Sequence, residues 1–250
     1  MPSKLIRRTS VLAGALVCIW LVTRAPAADP LPPSLTQQLI DGDITYLQKV
    51  LAKTPEKRAV STIKASALLL AFNAQSNLAG NRGAAMAGLR DQAVKVAEAM
   101  AKKDYAAAKA AAAGLNAATV GDKKEIVLYT HAKIDISEVM SAFRKSTVGG
   151  RNVEDDLKTM AKKGVTDVKR AGGVAGRTFA AAHFAAKLPP TGLNDAKMKQ
   201  WNDFVKDMTS ISKDFSAEAG KGDAADKKKL GAYAQKLDKN CVDCHAVFKD

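Results

Sequence analysis

The sequence predicts an all-α protein. Alanine is abundant, and it loses no side-chain entropy on entering a helix. Gly and Pro gather in a few short breaks, and long alternating apolar–polar runs are scarce, which sets aside sandwiches and barrels. Apolar residues recur instead at steps of three and four. A chain of 250 residues can form one or two compact units with a substantial core. Charged residues make up 26% with no long polar low-complexity tract, so disorder is a poor description of the bulk.

Residues 1–27 stand apart from the fold. Lys4, Arg7 and Arg8 precede an apolar run from Val11 to Val22, and Ala25-Pro26-Ala27 supplies small residues for cleavage, the layout of a secretory signal peptide. The run is shorter than the roughly 20 residues that span a bilayer, which disfavours a signal anchor. Arg7-Arg8 lacks the rest of a twin-arginine motif, and Val17 before Cys18 does not suit a lipobox. No second segment is long and apolar enough to cross a membrane, so stable membrane insertion is not expected. The expected location is the periplasm.

Cleavage there removes four basic residues and no acid, so the mature chain keeps +10 of the full +14. It also removes Cys18 and leaves Cys241 and Cys244. Such a charge draws acidic partners. Export and the lack of a basic–aromatic motif argue against nucleic acid; Lys227-Lys228-Lys229 and similar groups read as solvated helix faces.

The helices follow in chain order. Val60, Ile63, Ala67, Leu70 and Ala74 share one face, as do Met86, Leu89, Ala93, Val96 and Met100. Asp135 and Glu138 have capping-box spacing before Val139, Met140 and Phe143. Ser146-Thr147-Val148-Gly149-Gly150 breaks the pattern. Asn152 is the expected N-cap of the next helix, which carries Val153, Leu157 and Met160. Pro189-Pro190-Thr191-Gly192 then separates two helices. Met198, Trp201, Phe204, Val205, Met208, Ile211 and Phe215 make one broad face, and Leu230, Tyr233, Leu237, Cys241, Cys244 and Phe248 make the last stripe.

The chain also resembles itself. DITYLQKVLAK from Asp43 is similar to NVEDDLKTMAKK from Asn152, and Ala97–Leu115 is similar to Ala217–Leu237, at offsets of 109 and 120. This predicts a helical unit over 28–124 and a second over 125–250, each of about four helices. Thr119 takes the place of Cys241 in that alignment, so the first unit is the degenerate copy.

The second unit carries Cys241-Val242-Asp243-Cys244-His245. Two thiols three residues apart on a helix face the same way. Each can add to one vinyl group of a haem, and His245 can then serve as the proximal iron ligand. A thioredoxin-type pair would open a helix after a strand, whereas this pair lies near a helix end. A structural zinc would need two further ligands, with only His131 and His183 left. A plain disulfide would not need the histidine. One covalent haem c is the expected cofactor.

Only five residues follow His245. The sequence CVDCHAVFK, with Phe248 and Lys249 after the histidine, resembles the end of the cytochrome c′ family, the class II c-type cytochromes. LPPTGLNDAKMKQWNDFVKDM is similar to that family's proline-bearing loop and Trp-containing helix, with Trp201 at the matching place. The likeness covers about Lys133 to Asp250. It implies an antiparallel four-helix bundle holding the haem between helices, and a homodimer by analogy. The preceding half, and the interruption at 144–152 in what would be one first helix, depart from the family pattern. The resemblance also implies a sixth-position residue on that first helix. Met140 best matches the methionine variants, whose iron is six-coordinate and suited to electron transfer. Met160 or a histidine are alternatives, and an apolar residue would leave a site open to NO or CO. His183 reads as packing, His131 as exposed, and Trp201 as core.

No Ser/His/Asp arrangement, paired carboxylates or distal acid–base group can be argued from spacing, so no enzyme activity is expected. Electron transfer to a redox partner, acidic in charge, is the expected function. Gas sequestration or sensing at a five-coordinate iron is the alternative, and a docking role for the first half is a third reading.

Overall fold

The computed structural model describes residues 31–53, 55, 59–116, 119–146 and 150–248. The signal-peptide reading, Lys249 and part of the Ser146–Gly150 break lie outside the described residues. Nine α-helices are described: α1 (Pro33–Leu51), α2 (Val60–Gln75), α3 (Gly83–Ala101), α4 (Tyr105–Ala113), α5 (Ile136–Ser141), α6 (Val153–Lys163), α7 (Val168–Ala185), α8 (Asp195–Ala219) and α9 (Lys227–Phe248). The described residues contain no strand, as the composition predicts.

Two closed rings of helices emerge from the packing. In the first half, α1 lies against α2, α2 against α3, α3 against α4, and α4 returns to α1; α6, α7, α8 and α9 repeat that order. The two self-similar stretches fall at corresponding places, α1 with α6 and the α3–α4 corner with the α8–α9 corner. The rings meet where α1 and α2 pack on α7, and α5 sits between α2 and α7. One hydrophobic core runs through both, from Ile40 and Leu47 to Leu230 and Leu237.

Side-chain size explains this packing. Helix α2 is apolar around most of its circumference, and Ala67, Ala71 and Ala74 are fully covered, as befits a helix with neighbours on several sides. On α7, glycines admit α1. A Cβ at Gly172 would stand 2.7 Å from Leu35 Cδ1, and one at Gly176 would stand 2.3 Å from Leu39 Cδ1. Leu31, Leu35, Leu39 and Phe179 form the apolar seam there.

The same seam holds charge. Asp43 of α1 is 2% exposed; its Oδ1 accepts from Arg177 Nε of α7 at 3.0 Å and lies 2.9 Å from Arg151 Nη2. The Arg151 guanidinium stacks over the Tyr46 ring, 4.3 Å from its centroid.

Local signals decide the helix ends. Asp104, Asp167 and Asn194 cap α4, α7 and α8 with side-chain oxygens, and Asp135 with Glu138 forms the predicted capping box on α5. Asn152 behaves otherwise. It precedes α6 in the left-handed region, φ +57°, and its Oδ1 accepts from Ser146 N at 2.6 Å. It braces the connection instead of capping the helix. Arg151 N donates to Ala142 O and Glu154 N to Phe143 O, which ties α5 to the start of α6 across the break.

Candidate haem site

Cys241, Cys244 and His245 lie in the last turns of α9. The stripe Leu230, Ala234, Leu237 is buried, and continuing it by three and four residues puts both thiols on the inward side. Cys241 and Cys244 are half-buried and free, with no disulfide between them. Val242 points outward at 55% exposure, Asp243 pairs with Lys239 on the outer surface, and His245 is exposed.

Cys241, Cys244 and His245 line a cleft. The opposing walls are Trp201, Phe204, Val205 and Met208 of α8, Val153, Glu154, Leu157 and Lys158 of α6, Ala185 of α7, and Met140 with Phe143 and Arg144 from α5 and the turn after it. The structure therefore brings Met140 to the same cleft as Cys241, Cys244 and His245. Met140 and Cys244 also pack on one cluster formed by Ala185, Trp201 and Val205.

Aromatic contacts fasten the end of α9. The Phe248 ring meets Trp201 edge-on at 5.3 Å and Phe204 at 6.2 Å, with Lys197 Nζ 5.6 Å above it. Trp201 is buried, as expected, and its Nε1–H donates to Ala185 O at 3.0 Å. Asn240 Nδ2 donates to Phe204 O at 3.3 Å.

The electrostatics keep both thiols protonated. Burial pushes Cys241 up to about 12, reinforced by Cys244, Asp238 and Glu154 and opposed by Lys158. Burial also raises Cys244. An exchange-active pair needs an accessible thiolate, and burial disfavours one at both positions.

The other candidate ligands lie elsewhere. Met160 is buried in the common core. His183 packs between Phe72 and Phe179, with ring centroids at 4.8 and 4.5 Å, and its Nδ1 lies 2.9 Å from Phe179 O. His131 differs from the expected exposed position: it is half-buried, with Nδ1 2.8 Å from Glu98 Oε1. Neither His131 nor His183 is among the residues that line the cleft with the thiols. Met208 also reaches the cleft; its spacing alone marks it only as part of the apolar face of α8.

No family model, curated protein or solved structure matches the chain.

In the first half, the chain after α4 packs against α3. Helix α4 ends at Ala113, so Thr119 is not on a helix, and the connection runs back over α3. Gly121 N donates to Ala84 O at 2.9 Å, and a Cβ on Gly88 would stand 2.1 Å from Thr119 O. The buried Arg90 guanidinium clamps the strap through Lys124 O at 2.6 Å and Asp122 O at 3.0 Å.

Proposed function

We propose that this protein is an exported, periplasmic c-type cytochrome that transfers electrons through one covalently attached haem. The observation that carries the reading is that two neutral thiols and an adjacent imidazole, in the spacing C-x-x-C-H, line one largely apolar cleft that a methionine also lines. That donor set suits haem c. Cys241 and Cys244 would hold the porphyrin by two thioether bonds, each thiol hydrogen passing to a vinyl carbon. His245 would be the proximal ligand and Met140 the sixth. The bound group would supply one-electron ferrous–ferric chemistry.

The protein's part is to orient and to exclude water. Trp201, Phe204, Val205 and Leu157 give the site apolar walls, which together with axial ligation set a haem potential. The ring of α6–α9 is read as the antiparallel four-helix bundle of a cytochrome c′-like domain. The α1–α4 ring is read as its haem-less counterpart. The basic balance of the chain, with Arg144 at the cleft and Lys197 exposed at its edge, favours an acidic redox partner, since complementary charge speeds encounter.

Gas binding is the second reading. Phe143, Val153 and Leu157 also line the cleft, and a Met140 that stays packed on Trp201 would leave an apolar distal side without a donor. The deciding experiment is mass spectrometry and ferrous spectroscopy of full-length protein coexpressed with haem-attachment machinery. One haem mass that survives denaturation and is lost in Cys241→Ala/Cys244→Ala is expected, with a low-spin spectrum and slow CO binding. An apo mass overturns the haem reading, and a high-spin wild type that binds CO rapidly moves gas binding ahead.

A further inference from the structure

Helix α5 has only six residues, too few to hold a helical conformation alone in water. Its position depends on what grips it, and the first two turns of α2 supply a grip at both ends. At the α5 N-terminus, the Glu138 carboxylate lies 2.7 Å from Lys64 Nζ and accepts from Ser61 Oγ at 3.1 Å. Glu138 is also the third residue of the capping box, its own N–H donating to Asp135 Oδ1 at 2.8 Å. At the C-terminus, Thr62 Oγ1 donates to Ser141 O at 3.4 Å.

Burial sharpens the pairing. The Lys64 side chain is 8% exposed and Glu138 24%, so the ammonium has little water to replace a lost carboxylate. Glu138 and Met140 are two residues apart on a helix and do not share a face. One face of α5 is therefore bound to the first half of the chain, and another presents Met140 to the cleft of the second half.

We propose that the first half positions the sixth ligand: Ser61, Thr62 and Lys64 of α2 hold α5 so that Met140 faces the iron site. This gives the haem-less half a role, and it rests on the reading of Met140 as the ligand opposite His245. Lys64, Thr62 and Ser61 are positioning residues, and none of them lines the cleft.

The test uses full-length holoprotein and two readouts on each variant: hydrogen exchange of the α5 amides, and ferric spin state with CO association rate. In Lys64→Met the α5 amides should exchange at least tenfold faster while those of α8 are unchanged. The high-spin fraction should rise and CO should bind at least tenfold faster. Lys64→Arg should keep both readouts near wild type, and Thr62→Val, which removes one hydrogen bond at nearly constant volume, should shift both in the same direction as Lys64→Met by less. The Thr62 variant decides the matter if Lys64→Met fails to fold. Unchanged α5 exchange in these variants overturns the grip. Faster exchange with an unaltered spectrum, where Met140→Ala does alter it, overturns the transmission to the ligand. A Met140→Ala spectrum identical to wild type refutes Met140 as the ligand and the inference with it, a result separable from the first two.

Discussion

Asp43 on α1 and Arg177 on α7 are 134 positions apart in sequence and joined by a buried hydrogen bond of 3.0 Å from Nε to Oδ1. With Arg151 at 2.9 Å from the same oxygen, one carboxylate answers two guanidinium groups. Replacing Asp43 by Ala would leave both largely buried cations without it. A loss of about 3–5 kcal/mol is expected, or on the order of 10 °C in Tm for a chain of this size. Calorimetry of Asp43→Ala checks it; a loss below about 1 kcal/mol would show that water reaches the seam.

The same seam should resist a single methyl group. In Gly176→Ala the new Cβ meets Leu39 Cδ1 at 2.3 Å, and overpacking of this kind costs about 1–3 kcal/mol. Leu39→Ala alone opens a cavity. The double variant should recover part of both losses, a coupling that a double-mutant cycle measures. Strict additivity would place α1 farther from α7 than described.

Stability should depend on pH through His183. Burial holds its imidazole below the ordinary value of 6.5. As pH falls through that value the unfolded chain takes up a proton and the folded chain does not, so the contribution is complete above it and declines below it. Urea midpoints compared at about pH 7.5 and about pH 5.5 should fall more for wild type than for His183→Leu. Equal falls would mean the ring is as well solvated folded as unfolded.

Thiol chemistry on the haem-free chain gives another check. With Cys241 pushed up to about 12, almost none of it is thiolate at neutral pH, and only the thiolate attacks an alkylating reagent. Peptide mapping after brief iodoacetamide treatment near neutral pH should find little label on Cys241, and the label should increase sharply in urea. Rapid native labelling would contradict its burial.

Much of this structure was legible because helical periodicity reports burial directly. The faces of α3 and α8 and the capping box at Asp135 and Glu138 stand where the spacing puts them. The gathering of Met140 with Cys241, Cys244 and His245 was legible in part, since each lies on the inward side or at the end of a readable stripe. Long-range facts were not. Asp43 read as the first residue of a self-similar stretch, because a single sequence does not show that a lone carboxylate will meet two distant arginines. Gly172 and Gly176 carry no periodic signal of their own; their meaning lies in Leu35 and Leu39 on another helix. Asn152 had the composition of a cap but not the conformation, since the pull of Ser146 N set its side chain elsewhere.

Leu237 is the last fully buried residue of α9, and beyond it Phe248 meets Trp201 edge-on and Asn240 donates to Phe204 O. The thiols lie past that buried stripe, Cys241 against the edge of the core and Cys244 against Ala185, Trp201 and Val205. Under the proposed function, a group bonded at Cys241 and Cys244 would enter the cleft without displacing Leu230, Ala234 or Leu237. Attachment chemistry and bundle packing would then be assigned to different stretches of one helix.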